Sequence, residues 1–122
     1  MAPGGWDMGT FDFAGFKQAF VEQDVPAWAA YYADDAQWIE YRHANPPRAP
    51  NVMQGKREIA DFLERVKASN VALKIEDEVV GPARAAFRVW CALRDGRRII
   101  EHVIVDHANG RITRQVDVEA WD

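Results

Sequence analysis

The second half of this 122-residue chain constrains it most, because four apolar-rich runs there are separated by three turn signals. The runs cover 71–80, 84–94, 98–107 and 111–121, with Gly81-Pro82, Asp95-Gly96 and Asn109-Gly110 between them. Their β-branched and aromatic residues suit strands. Asp-Gly and Asn-Gly favour the positive backbone dihedrals of tight hairpins, so consecutive strands are predicted to be antiparallel neighbours.

The first half reads as helical. Phe13, Phe16 and Phe20 recur at intervals of three and four, with Lys17, Gln18 and Glu22 on other faces, which predicts an amphipathic helix over 11–23. Asp24 is placed to cap a second, short helix that tolerates Pro26 in its first turn. Trp28, Tyr31 and Tyr32 form its buried side, and Asp34-Asp35 is expected to turn the chain. A strand is predicted over 37–42, followed by a loop over 45–51 that Pro46, Pro47 and Pro50 keep from regular pairing. Ile59, Phe62, Leu63 and Val66 follow Gly55 in the i, i+3, i+4, i+7 pattern of a third helix, stopped at Ser69-Asn70. Helices first and a meander after is the order of an α+β domain, not of alternating βαβ units. One domain is expected over 1–122, with residues 1–10 a flexible N-terminal arm.

A domain of this size buries roughly two thirds of its unfolded surface. With 48% apolar residues, six Phe, five Trp and three Tyr, the chain can fill a core. A net charge of −4 with scattered Lys and Arg leaves no basic footprint for nucleic acid. Cys91 stands alone in an apolar run, so it reads as a small buried hydrophobe in a reducing compartment. No basic leader precedes an apolar stretch, and nowhere do eighteen apolar residues run together, so the expectation is a soluble, cytoplasmic protein without membrane contact.

The candidate chemistry lies on strand faces. Trp38, Glu40 and Arg42 share one face of the first strand. If that face meets a cavity, burial would raise the Glu40 pKa towards that of a general base, while a close Arg42 would lower it. The alternative is an ordinary Glu40–Arg42 ion pair at the domain's edge. In the run 98–107, Ile99, Glu101, Val103 and Val105 alternate with Ile100, His102 and Ile104, making both faces largely apolar. Helices can cover only one face, so the other is predicted to meet a second subunit or the sheet's own curvature. Glu101 would then face the pocket, and His102 reads as a satisfied interface or core histidine. His43 and His107 fit no metal or triad pattern. Thr113, Gln115, Asp117, Glu119 and Trp121 share one face of the last strand. That face meets either solvent or a polar-lined cavity, and in the second case Gln115 and Asp117 join Glu40 and Glu101.

The run Tyr32-Ala33-Asp34-Asp35-Ala36, a strand ending in Glu40, a proline-bearing loop and Gly55-Lys56-Arg57-Glu58-Ile59-Ala60-Asp61-Phe62-Leu63 together resemble the nuclear transport factor 2 (NTF2)-like superfamily, particularly its SnoaL-like polyketide cyclase members. Ile100-Glu101-His102-Val103 and Asn109-Gly110-Arg111-Ile112 extend the resemblance over 11–121. It implies a cone of three helices on a strongly curved antiparallel sheet, a pocket between them, and homodimers through the outer sheet face. The superfamily holds isomerases, cyclases, hydrolases, dehydratases and proteins without known catalysis, so it implies a pocket and not a reaction. Against its ketosteroid isomerase branch, Glu40 stands at the catalytic base and Glu101 near the proton-donating acid. Phe16 stands where an oxyanion-binding tyrosine would be and has no hydroxyl. Against the polyketide cyclase branch, Asp117 is nearest to the acid/base aspartate. The epoxide hydrolase arrangement is disfavoured, because Ile99 stands where it needs an arginine. The candidate catalytic residues are therefore Glu40, Glu101 and Asp117, and the candidate pocket residues Phe16, Trp28, Trp38, Arg42, Trp90 and Gln115. The expected ligand is small, apolar or carbonyl-containing, and no metal or nucleotide is called for. The alternative is a non-catalytic ligand-binding or dimerisation module of the same fold.

Overall fold

A computed structural model describes residues 10–122, so the arm expected at 1–10 lies, except for Thr10, outside the described residues. The elements run α1 (Phe13–Glu22), α2 (Val25–Ala29), β1 (Tyr32–Tyr41), β2 (Asn51–Gln54), α3 (Lys56–Ala68), β3 (Ala72–Val80), β4 (Arg84–Ala92), β5 (Arg98–Ala108) and β6 (Arg111–Trp121).

All three turn signals fall between antiparallel strands, but only Asn109-Gly110 has both residues at positive φ. Asn109 and Gly110 have φ of 54° and 77°, the paired positive values of a tight hairpin, and Gly96 sits at φ 92°. β3 to β6 consequently form an antiparallel meander. The full sheet has the order β2-β1-β6-β5-β4-β3. It is mixed, which corrects the expectation of an antiparallel sheet: β1 runs parallel to β6, with Glu40 opposite Asp117 and Tyr41 opposite Val118. The three reversals of the meander bring β6 back in the direction of β1.

Two boundaries also differ from the sequence reading. Asp34 and Asp35 lie within β1 instead of turning the chain. Tyr31 ends the helical turn and already accepts a sheet bond from the Ile112 amide at 2.7 Å, so Tyr32 enters the strand with its ring still buried. The pairing of β1 with β6 is irregular between Tyr32 and Gln37, where the two exposed aspartates sit. Asn51 to Gln54 form an edge strand on β1. All three prolines of the preceding loop fall before it, so nothing in β2 opposes pairing.

The helices cover one face of the sheet. Asp12 caps α1 by accepting the Gly15 amide at 3.0 Å, and Asp24 caps α2 from Ala27. Ile59 and Leu63 of α3 are fully buried, and Trp28, Tyr32, Val89, Val103, Val105 and Ile112 belong to the same apolar core. Phe16 is wholly buried among Phe11, Phe13, Phe20, Tyr31, Tyr32 and Phe87. It is a core residue and not the cavity wall that was expected. No helix among the described residues is long and apolar enough to cross a membrane.

Candidate functional site

Between the helices and the concave sheet face lies a cavity of about 490 Å³. Phe20, Trp28, Phe62 and Val66 wall it from the helices, and Trp38, Leu73, Cys91 and Ile99 from the sheet. Glu40, Glu101, Glu119 and Asn51 form one polar side. Arg42, Arg94, Asp95, Arg97 and Trp121 stand along another part of the lining. Phe20, one helical turn beyond Phe16, takes the place expected for it. Trp90 does not reach the cavity. The buried residues of β4 are Ala85, Phe87, Val89 and Cys91, so strand parity sends Trp90 to the outer face, where its indole donates to Glu76 at 2.7 Å. Cys91, expected as a small buried hydrophobe, does line the wall, and burial pushes its thiol up to about 11.

Strand register assembles the acids. Asn51 of β2 stands opposite Glu40 of β1, and Glu40 opposite Asp117 of β6. Two residues further along β6, Glu119 stands opposite Glu101 of β5. The concave face of β6 is therefore its polar face, which settles the alternative left open by periodicity: Gln115 and Asp117 are buried, and Val118 is 56% exposed on the other side.

Asp117 has no exposed surface and lies beneath the cavity instead of lining it. Its Oδ2 accepts the Trp38 indole N–H at 3.0 Å and its Oδ1 the Gln115 amide at 3.1 Å. Gln115 in turn accepts the Tyr32 hydroxyl. This chain of bonds fixes the carboxyl, while burial, and then the charges of Glu101 and Glu40, push its pKa well above the usual carboxylate range. Burial likewise pushes the Tyr32 phenol well up.

Glu40 is 7% exposed and accepts a bond from Asn51 Nδ2 at 3.0 Å. Burial first, then the Glu119 charge, raise its pKa to about 7 against the opposing Asn51 bond. Arg42 contributes only the last and weakest of these influences. Its Nε donates to Asn45 at 2.9 Å, and its guanidinium lies 4.7 Å from the Trp121 ring centre. Among the described residues no carboxylate is within salt-bridge distance of it, so the edge ion pair with Glu40 does not form. Glu101 retains surface on the cavity, yet packed protein surrounds its carboxyl; burial, then Glu119 and Glu40, raise it to about 8.

Carboxylate oxygens of Glu40, Asp117 and Glu119 all lie within 4.8 Å of one another, close enough to share protons or to meet one hard cation. Glu119, Asn51 and Tyr32 are site residues that the sequence reading did not single out. Glu119 was findable, because it shares a strand face with Asp117. Asn51 gave no signal, being hidden at the end of a proline loop.

The SnoaL-like domain family matches residues 13–115. This chain belongs to the SnoaL-like family. Solved structures share the fold of this SnoaL-like chain. An NTF2-like protein of unknown function from Mesorhizobium loti superposes with a TM-score of 0.78 at 16% identity, over 88% of this chain and 87% of that one. A "putative ketosteroid isomerase" from Kribbella flavida gives 0.75 at 17%, over 88% and 74%. A "putative polyketide cyclase" from Sinorhizobium meliloti gives 0.69 at 20%, over 86% and 91%. Identities this low carry the fold alone, the cystatin-like or NTF2-like arrangement. No curated protein sequence matches significantly.

Proposed function

We propose that this SnoaL-like protein is an enzyme that moves a proton within a small, largely apolar carbonyl compound, in an isomerisation or cyclisation that uses only carboxyl groups. One observation carries the reading: Glu40 and Glu101 line one apolar cavity, with pKa values raised to about 7 and about 8. Near neutral pH such a pair supplies a carboxylate and a carboxylic acid together.

Glu40, ionised, takes the proton from the carbon beside the carbonyl. Glu101, protonated, donates a hydrogen bond to the oxygen as it becomes an enolate, the task for which Phe16 has no hydroxyl. The proton held by Glu40 then returns to the enolate at another carbon; in a cyclisation the enolate carbon instead attacks a second carbonyl of the same molecule, whose C=O π bond opens to an alkoxide that takes this proton. Asp117 does not touch the ligand; it holds a proton beneath Glu40 and Glu101, and its hydrogen bond opposes the rise that burial imposes on Glu101. Trp28, Trp38 and Phe62 exclude water and hold the apolar body.

The test follows exchange of the α-protons of a bicyclic ketone such as 2-tetralone into D₂O by NMR. Wild type is expected to accelerate exchange, and Glu40→Gln to lose on the order of 10²–10⁴-fold with little change in KM. Equal rates in the two proteins would sink the base assignment. The largely apolar lining favours a second reading, a cavity that only holds an apolar ligand, in which case binding occurs with no exchange in either protein.

The outer sheet face is proposed to be covered by a second copy. Its register aligns Val52, Ile39, Val116, Ile104, Ala86 and Val79 in one row across all six strands. Val52, Val79 and Ile104 are 43%, 71% and 45% exposed, an apolar stripe unusual on a free surface.

A further inference from the structure

The cavity is electrically divided. Its deep side is carboxyl-rich, whereas another part of its lining carries three guanidiniums, Arg42, Arg94 and Arg97, against a single carboxylate, Asp95. This local excess of positive charge stands in a chain whose net charge is −4. Arg97 is neutralised by Asp95 at 2.9 Å. Arg42 and Arg94 have no acidic partner among the described residues.

Arg42 is also held in place. Asn45 takes its Nε and the Trp121 ring supports its plane, which leaves its two terminal nitrogens with no partner among the described residues. Arg97 approaches the same ring, at 6.0 Å from its centre, and Trp121 donates its indole N–H to Glu119 at 2.9 Å. One aromatic side chain thus joins the basic part to the acidic part. Arg42 lies two residues beyond Glu40, just past the end of β1, about 7 Å further along the chain. A guanidinium fixed by stacking, with both terminal nitrogens free, matches the two oxygens of a planar carboxylate.

We infer that the ligand of this cavity is an amphiphilic carboxylate, whose apolar, carbonyl-bearing body lies against Trp28, Trp38 and Phe62 and whose carboxylate meets Arg42, with Arg94 adding to the attraction. The opposite orientation would bury the carboxylate among Glu40 and Glu101, where burial already disfavours a charge. The inference rests on the cavity being the ligand site, as proposed above, and names the chemical class of that ligand.

A neutral fluorescent probe, N-phenyl-1-naphthylamine, reports occupancy of the apolar part, and decanoate and decanol at pH 6.5 compete for it. Decanoate is expected to displace the probe from wild type at concentrations at least about tenfold below those needed for decanol, the scale of one charge-assisted hydrogen bond. In Arg42→Gln that preference is expected to vanish while the probe's own affinity stays within about twofold, as a charge contact separate from the apolar wall requires. Arg42→Lys, which keeps the charge and loses the fork, is expected to retain part of it, and Arg94→Gln to reduce it less than Arg42→Gln. Decanol competing as well as decanoate in wild type, a preference surviving in Arg42→Gln, or failure of the probe to bind wild type would each overturn the inference. Failure of the proton-transfer reading registers separately, in the exchange rate of Glu40→Gln, because these titrations involve no turnover.

Discussion

At the residue scale, the four clustered acids make opposite demands on stability and on chemistry. Glu40 and Glu101 have an ordinary value of 4.5 and are raised in the folded chain to about 7 and about 8. Between those limits the folded state binds more protons than the unfolded state, so stability falls as pH rises. The contribution is full below about pH 4.5 and is lost as pH passes through 7 and 8. The urea midpoint is therefore expected to be lower at pH 8.5 than at pH 5, and Glu101→Gln to narrow that gap; a gap of unchanged size would show that Glu101 is not the group responsible. The same pair is expected to give the exchange rate a bell-shaped pH profile with limbs near 7 and 8. Those limbs belong to the cluster as a whole, since Asp117 and Glu119 interact with both acids. Glu40 and Glu101 were legible in the sequence because each alternates with apolar residues on a strand whose inner face could be argued. Asp117 was legible only as one of two options, because a polar strand face looks the same whether it meets water or a polar cavity. Which of burial and Arg42 governs Glu40 was not legible at all: it depends on Asn45 and Trp121 drawing the guanidinium aside.

At the element scale, the securest helix reading was α3, whose Ile59 and Leu63 are fully buried as their spacing requires. Leu63→Ala is expected to cost about 2–5 kcal/mol in urea unfolding, the range for deleting a buried leucine side chain. Asp12 does more than cap, because its second oxygen accepts the Tyr31 hydroxyl at 3.3 Å and ties the start of α1 to the chain just after α2. Asp12→Ala is expected to cost about 1 kcal/mol, and Asp12→Asn to cost distinctly less, because asparagine caps nearly as well. An equal loss in both would place the effect in charge instead of capping. Strand β2 escaped notice because four residues are too few for periodicity to register and prolines crowd the approach to it. Trp90 was misplaced by a single step of parity, since its neighbour Cys91 is the residue that faces inward.

At the scale of the whole molecule, the order of elements disclosed the α+β class and the meander, but not the parallel seam between β1 and β6. Pairing of strands distant in sequence leaves no local trace in either one. The apolar row across the outer face is likewise invisible until register is known, because its members come from six separate strands. Sedimentation velocity at micromolar concentration is expected to show a dimer, and Val118→Lys, beside that row, to yield monomers with unchanged secondary structure. A monomeric wild type would overturn the second-copy reading.

The parallel seam has a consequence for the order of events during synthesis. Among the described strands, Glu40 belongs to the first made, whereas Asp117 and Glu119 belong to the last. On a ribosome the helices and the early hairpins can form while the acid cluster is still incomplete, because its β6 members have yet to leave the exit tunnel. Docking of β6 into the gap between β1 and β5 makes the strand pairing most distant in sequence, the kind of contact that chains make slowly. Ligand capture by this cavity therefore reports that the final strand has found its slot.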